Sequence, residues 1–191
     1  MSTKSGTPPP PQRNVERELK FARVEIEALR ERLLELEAER VRSAAHEDNW
    51  LLDREGELLD QGCVLRLRKD GHGAWLTFKG PAHLEGRVKV RSEQEIEVGD
   101  AEKALDLFLG LGYTVARRYQ KIREDWRLGG VTISLDRTPI GDFAEFEGEG
   151  AETVARRCGF DAQQAERRSY LRLYDDYQKE HPDAPAEMLF P

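Results

Sequence analysis

Short runs in which charged and apolar residues alternate recur along the chain, and they constrain its fold more than any other feature. Successive side chains of a β-strand point to opposite faces, so each run divides into a charged face and an apolar face. In residues 64–68, Arg66 and Arg68 share one face. In residues 88–97, one face carries Lys89, Arg91, Glu93, Glu95 and Glu97. Such patterns are typical of an antiparallel sheet.

About eight strands of this kind are predicted, with helices inserted between groups of them. The strands are expected over residues 15–21, 46–53, 63–68, 74–79, 87–97, 118–126, 131–136 and 143–148. The spacing of apolar residues predicts helices over residues 24–42, 101–109, 152–158 and 166–180. Gly129 and Gly130 fit a hairpin turn between two of the strands.

The charged faces have two possible environments, water or an enclosed interior. For any one strand, a solvated sheet face is the ordinary explanation. The strands taken together argue against a solvated face. Solvated faces usually mix neutral polar residues with charged ones, whereas these faces are dominated by charged residues, often of one sign. We therefore predict an α+β fold: an eight-stranded antiparallel β-barrel tunnel with a charged lumen, covered outside by amphipathic helices. Buried charges need partners, which a polyphosphate and divalent cations would supply.

The bulk composition limits the class of protein. The 191 residues favour one domain: we expect a disordered Pro-rich leader over residues 1–13, a tunnel domain over 14–180 and a loose tail over 181–191. A net charge of −7 argues against general nucleic-acid binding. Two cysteines suggest neither a disulfide framework nor a zinc site, and no apolar run is long enough for a membrane span. A cytoplasmic location is expected.

One short motif of the chain resembles the signature motif of a known protein family. Residues 16–20, Glu-Arg-Glu-Leu-Lys, match the Glu-x-Glu-x-Lys signature of the CYTH superfamily, also called triphosphate tunnel metalloenzymes. Further motifs similar to those of the family follow in the right order, at residues 65–68, 77–80, 91–95, 121–123, 135–136, 141–147 and 168–170. The resemblance covers roughly residues 14–180 and implies an eight-stranded tunnel, Mg²⁺ or Mn²⁺ as cofactor and a triphosphate substrate.

The resemblance also assigns roles by motif match. The implied metal ligands are Glu16, Glu18, Glu145 and Glu147. The implied phosphate-binding residues are Lys20, Arg66, Arg68, Lys79, Arg91, Lys121 and Arg123. Lys20, Glu93, Glu95 and Asp136 are the implied catalytic residues, the three acidic ones within the set that holds metal or positions water. The tyrosines are interpreted as packing residues.

Three functions are compatible with these assignments. The first is metal-dependent hydrolysis of a small triphosphate, such as inorganic triphosphate, thiamine triphosphate or a nucleoside triphosphate. The alternative is a class IV adenylyl cyclase, in which a ribose 3′-hydroxyl attacks and pyrophosphate leaves. The third is a polyphosphate-binding module without turnover. The expected partner is a small-molecule triphosphate, with no membrane partner, and the expected assembly is a monomer or homodimer.

Overall fold

A computed structural model describes residues 14–191, so the expected disordered leader lies outside the described residues. The strands are β1 (Asn14–Ala22), β2 (Glu39–Asp53), β3 (Val64–Asp70), β4 (Gly73–Lys79), β5 (His83–Glu85), β6 (Val88–Val98), β7 (Thr114–Leu128), β8 (Val131–Thr138) and β9 (Gly141–Glu147). The α-helices are α1 (Ile26–Glu35), α2 (Glu57–Asp60), α3 (Ala101–Gly110), α4 (Ala151–Arg157) and α5 (Tyr170–Glu180). A 3₁₀ turn spans Ala162–Gln164.

Eight of the strands close into a barrel. Every neighbouring pair is antiparallel, in the order β1-β9-β8-β7-β2-β3-β4-β6, and β6 pairs back with β1. Closure is visible at Glu18, which lies opposite Lys89 of β6 and Glu147 of β9. The short β5 adds a hairpin arm to β6 outside this ring. The predicted eight-stranded antiparallel barrel is confirmed.

The apolar faces of the strands point outward and are covered by helices. On one side, Leu19, Ile133 and Phe146 of the barrel pack with Leu29 and Leu33 of α1. On another side, α3 covers a second apolar cluster on β3 and β4. The helix α5 differs, because it packs against Tyr119 and Phe143, which share the lumen-side faces of β7 and β9 with Lys121 and Glu145. Burying each large apolar side chain contributes about 1.5–3 kcal/mol. This exterior packing leaves the charged faces of the strands in the lumen.

The first helix is shorter than the sequence predicts. It ends at Glu35, not near residue 42, because Glu37 has left-handed backbone geometry (φ +57°) and β2 begins at Glu39. Val41, which extends the helical spacing in the sequence, lies on β2 and is exposed. The hairpin turn predicted at Gly129 and Gly130 is confirmed, since Gly129 lies between β7 and β8 and has a φ of +61°.

The C-terminal segment, expected from the sequence to be loose, makes contacts with β7 and α5. Met188 is only 1% exposed and packs with Tyr119, Tyr170 and Tyr174. The backbone N–H of Gln120 donates to the Met188 carbonyl over 2.8 Å. The Tyr174 hydroxyl donates to the Pro185 carbonyl over 2.7 Å. The tail therefore ties α5 to β7. A single buried methionine provides too weak a periodic signal for sequence reasoning to detect this contact.

The helices are short. The longest in the described residues, α5, has 11 residues and carries charges on its outer side. Over residues 14–191, none of the helices has both the length and the apolar character that a membrane crossing requires.

Candidate active site

The lumen contains a cavity of about 660 Å³ whose wall is mostly charged. All but one of the site residues predicted from the sequence line it: Glu16, Glu18, Lys20, Arg66, Arg68, Lys79, Arg91, Glu93, Glu95, Lys121, Arg123, Glu145 and Glu147. The exception is Asp136, which does not line the cavity. It is 0% exposed and in contact with two residues that do, Lys121 and Arg123. The strand alternation thus brings together side chains that are far apart in the sequence.

Three glutamates form an acidic cluster on one wall. Carboxylate oxygens of Glu16, Glu93 and Glu147 lie within 4.8 Å of one another. Glu147 is the most exposed of the three; partial desolvation, and then the nearby Glu16 carboxylate, raise its pKa to about 7. The buried Oε2 of Glu16 accepts no hydrogen bond from any residue in the described range 14–191. A group of carboxylate oxygens with an unused buried acceptor fits a hard divalent cation.

The other two predicted metal ligands, Glu18 and Glu145, are already paired with cations. Glu18 accepts a hydrogen bond from Lys89 over 2.7 Å. Glu145 accepts one from Arg123 over 2.5 Å and lies 3.4 Å from Lys20. Burial alone would raise the pKa of Glu145, but Arg123 and Lys20 outweigh it and hold that pKa well below its ordinary value. Glu16 also has a lysine partner, Lys79, at 2.6 Å, so three of the four predicted ligands already contact a cation.

The basic side chains that line the same cavity, here called the basic wall, offer unused donors. Within residues 14–191, no acceptor lies in hydrogen-bonding position for the buried Nε of Arg66, Nε of Arg68 or Nη2 of Arg91. Other nitrogens of these arginines are held in place: Arg66 donates to Thr77 over 3.3 Å, and Arg91 donates to the Gly80 carbonyl over 3.1 Å. Buried N–H groups without acceptors are costly. Oxygens of a bound phosphate would satisfy them.

Asp136 organises the base of the site. It accepts two hydrogen bonds from Arg123, over 2.7 and 2.5 Å, one from Lys121 over 3.2 Å and one from the Tyr170 hydroxyl over 2.6 Å. The Tyr170 ring lies under Lys20, whose Nζ is 4.4 Å from the ring centre. Tyr170 therefore does more than pack, which corrects its interpretation from the sequence. The polar role of a tyrosine on a helix cannot be read from its spacing.

Glu47 is a further charged residue of the site that sequence reasoning missed. It is 1% exposed on β2, 3.5 Å from Lys121 and 3.6 Å from Arg68. Burial would raise its pKa, but Lys121, Arg123 and Arg68 lower it to about 2. Strand alternation does not identify Glu47, because the neighbouring His46 and Asp48 are also polar. Neither face of this stretch is therefore distinctly apolar.

Part of the cavity wall is apolar rather than charged. Leu51, Leu58, Leu59, Val64, Ala116 and Leu171 line it. Leu59 is 74% exposed, so this part lies where the cavity meets solvent. The cavity therefore combines a charged interior with an aliphatic entrance.

Comparison with known proteins agrees with this geometry. The profile of the CYTH domain matches residues 14–173. A Methanocaldococcus jannaschii protein with the provisional name adenylate cyclase is 31% identical over 97 residues, which are 50% of this chain and 54% of that protein. The chain thus spans about half the length of this curated relative.

Two solved structures illustrate the likeness in fold. A Vibrio parahaemolyticus protein, also provisionally named adenylate cyclase, is 24% identical with a TM-score of 0.75, covering 86% of this chain and 99% of that one. A Hippeastrum protein is 16% identical with a TM-score of 0.65, and the match covers 85% of this chain and 96% of that one. That protein is provisionally named adenylyl cyclase and is described as having a dominant triphosphatase activity. At these identities the likeness establishes the fold alone.

Proposed function

The chain belongs to the CYTH domain family, and from that premise we propose that it is a metal-dependent hydrolase of a small triphosphate-bearing molecule. The observation that carries the proposal is the composition of one cavity. The acidic cluster of Glu16, Glu93 and Glu147 shares this cavity with arginines whose buried N–H groups have no acceptor among residues 14–191. An anion with several oxygens, bound together with a dication, would satisfy both sets of groups.

The proposed cofactor is Mg²⁺ or Mn²⁺. Glu16, Glu93 and Glu147 would hold it, since their oxygens converge and hard dications prefer carboxylate and phosphate oxygens together. Glu18 and Glu145 are further acidic groups on the same wall, available if their lysine and arginine partners turn to phosphate. When bound, such an ion offsets the negative charge that develops as the P–O bond breaks.

The basic residues would bind and orient the triphosphate. Arg66, Arg68 and Arg91 supply unused donors, and each guanidinium can make two parallel contacts with phosphate oxygens. Lys20 is almost fully buried, and although burial lowers its pKa, Glu145 and Glu18 raise it above its ordinary value, so it stays charged. Cations placed before the reaction stabilise developing charge without reorganisation, which is the main catalytic contribution proposed for these side chains.

We assign different roles to the acidic residues that were expected to be catalytic. Glu93 belongs to the acidic cluster. Glu95 accepts from Thr77 over 2.7 Å and from Arg68 over 3.4 Å, so it orients the basic wall. Asp136 is enclosed by its hydrogen-bond donors and would act as a positioning residue for Lys121 and Arg123 rather than touch the substrate.

A class IV adenylyl cyclase activity is the second candidate, and the apolar entrance favours it. Leu51, Leu58 and Val64 could pack against an organic group attached to the triphosphate. The same basic wall would hold the phosphates, while a ribose 3′-hydroxyl replaced water as the attacking group. Bond breaking would then release pyrophosphate instead of orthophosphate.

A product assay separates these activities. The protein is incubated with Mg²⁺ or Mn²⁺ and tripolyphosphate, thiamine triphosphate or ATP, and phosphate, pyrophosphate and cyclic AMP are measured. Hydrolysis predicts phosphate release that requires metal and is lost in Glu16→Gln; cyclase activity predicts cyclic AMP and pyrophosphate from ATP. Tight triphosphate binding with no product from any substrate would contradict both activities and leave a binding module.

The proposal extends to the setting of the protein. We propose a cytoplasmic protein that acts as a monomer or homodimer on a soluble triphosphate, in keeping with two free cysteines, Cys63 and Cys158. Light scattering of the purified chain would measure the assembly, and a tetramer or larger species would contradict it.

A further inference from the structure

Lys79 reaches from β4 into the acidic cluster. Its Nζ lies 2.6 Å from Oε1 of Glu16 and 3.0 Å from Oε2 of Glu93. Its side chain is 15% exposed, so water screens these contacts weakly. The ammonium therefore lies between two of the three carboxylates that converge there.

We propose that Lys79 is an internal counter-ion that competes with the divalent metal for Glu16 and Glu93. The inference rests on the proposed function, because it concerns the same metal site. In the free protein the ammonium would weaken metal binding. Any anion that draws the ammonium away would free the carboxylates for the metal.

The competition follows from the contacts. A dication bound to Glu16 and Glu93 would share their oxygens with an ammonium already in hydrogen-bonding contact with both residues. Like charges at such distances repel strongly in a poorly solvated interior. Oε2 of Glu16, a buried acceptor with no hydrogen-bond partner among residues 14–191, and the nearby Glu147 carboxylate give the metal a starting point. Full coordination would require Lys79 to leave.

The ammonium of Lys79 also has an alternative partner when a phosphate is bound. A lysine side chain is a flexible stem with a compact charge, so the ammonium can move between acceptors. Arg66 lines the same cavity as Lys79. A phosphate oxygen bound between the two cations would relieve their repulsion and attract the ammonium from the carboxylates. By linkage, metal and triphosphate would then each raise the affinity of the protein for the other.

The test is the affinity of the protein for Mn²⁺ alone, with no triphosphate present, measured from the electron paramagnetic resonance signal of free Mn²⁺. Lys79→Met keeps a long unbranched side chain and removes the charge. We expect it to bind Mn²⁺ at least about tenfold more tightly than the wild type, equivalent to about 1.4 kcal/mol. Circular dichroism and thermal unfolding establish that each variant is folded.

The matched control is Lys69→Met, which removes the same charge at a half-exposed position where the lysine pairs with Glu102. It should change Mn²⁺ affinity by less than about threefold. An equal gain in both variants would overturn the inference, since overall charge would then be the cause. Equal affinity in the wild type and Lys79→Met would also overturn it.

A further variant separates failure of this inference from failure of the proposed function. Adding Glu16→Gln to Lys79→Met should weaken Mn²⁺ binding strongly. If it does, yet Lys79→Met alone gains nothing, only the competition is refuted. If Glu16→Gln leaves Mn²⁺ binding unchanged, the metal is not bound at this cluster, and both the inference and the proposed metal site are wrong.

Discussion

Glu47→Gln tests whether buried carboxylates hold the basic wall together. The carboxylate is 1% exposed and lies 3.5 Å from Lys121 and 3.6 Å from Arg68. Glutamine has nearly the same shape but no charge, so the substitution leaves the packing intact and removes only the counter-ion. Two buried cations would lose a neighbour of opposite sign, which is destabilising in a poorly solvated site.

The magnitude follows from the pKa of Glu47. The surrounding cations lower it from 4.5 to about 2 despite burial. At about 1.4 kcal/mol per pKa unit, this corresponds to about 3 kcal/mol of stability at neutral pH. Because the pKa is lower in the folded state, the stabilisation is complete above about pH 4.5 and is lost as the pH falls towards 2. The difference between wild type and variant should therefore shrink in acid.

Urea unfolding at pH 7 and pH 4 measures both effects. We expect Glu47→Gln to lower the free energy of unfolding by about 3 kcal/mol at pH 7, with a difference about 1 kcal/mol smaller at pH 4. The exposed Glu31→Gln on α1 is the matched control and should stay within about 0.5 kcal/mol of the wild type. A Glu47→Gln protein as stable as the wild type at pH 7 would refute this account of the basic wall.

Other perturbations have equally definite expectations. Arg66→Ala should weaken tripolyphosphate binding by at least about tenfold in calorimetry, and weaken binding more than folding, because its buried Nε has no acceptor among the described residues; unchanged affinity would count against a phosphate-binding role. Glu145→Gln should keep the circular dichroism spectrum and lose most turnover, with tripolyphosphate binding falling less than turnover does; a wild-type rate in a titration with low Mg²⁺ or Mn²⁺ would remove Glu145 from the active site. Met188→Ala should lower the free energy of unfolding by about 2–5 kcal/mol, since the side chain is 1% exposed, whereas the exposed Leu84→Ala should have little effect; similar losses in both would show that the tail is not docked.

Much of the barrel can be predicted from the sequence because its determinants are local. The alternation in residues 16–20 and 143–147 places Leu19 and Phe146 outside against the helices, and Glu18 and Glu145 inside. Where local signals conflict, prediction fails. Val41 continues the apolar spacing of α1, yet the left-handed geometry at Glu37 ends the helix first. The docking of the tail depends on distant partners of Met188, which local patterns do not contain.

The site shows the same division between local and distant determinants. Strand alternation identifies which side chains enter the lumen, but not which of them meet. Glu93 joins Glu16 and Glu147, while Glu18 pairs with Lys89, because the pairing register and the reach of each side chain decide the contacts. Residues contributed by less regular stretches, such as Glu47 and Tyr170, become recognisable only when the barrel closes.

The most direct test of the central claim is a crystal structure with Mn²⁺ and the β,γ-imido analogue of ATP, with Mn²⁺ located by anomalous scattering. The account predicts an anomalous peak within about 2.5 Å of carboxylate oxygens of Glu16, Glu93 and Glu147. It also predicts that the phosphates contact the guanidinium groups of Arg66 and Arg68. A metal peak away from these glutamates, or phosphates bound outside the lumen, would contradict the claim that one cavity binds metal and triphosphate together.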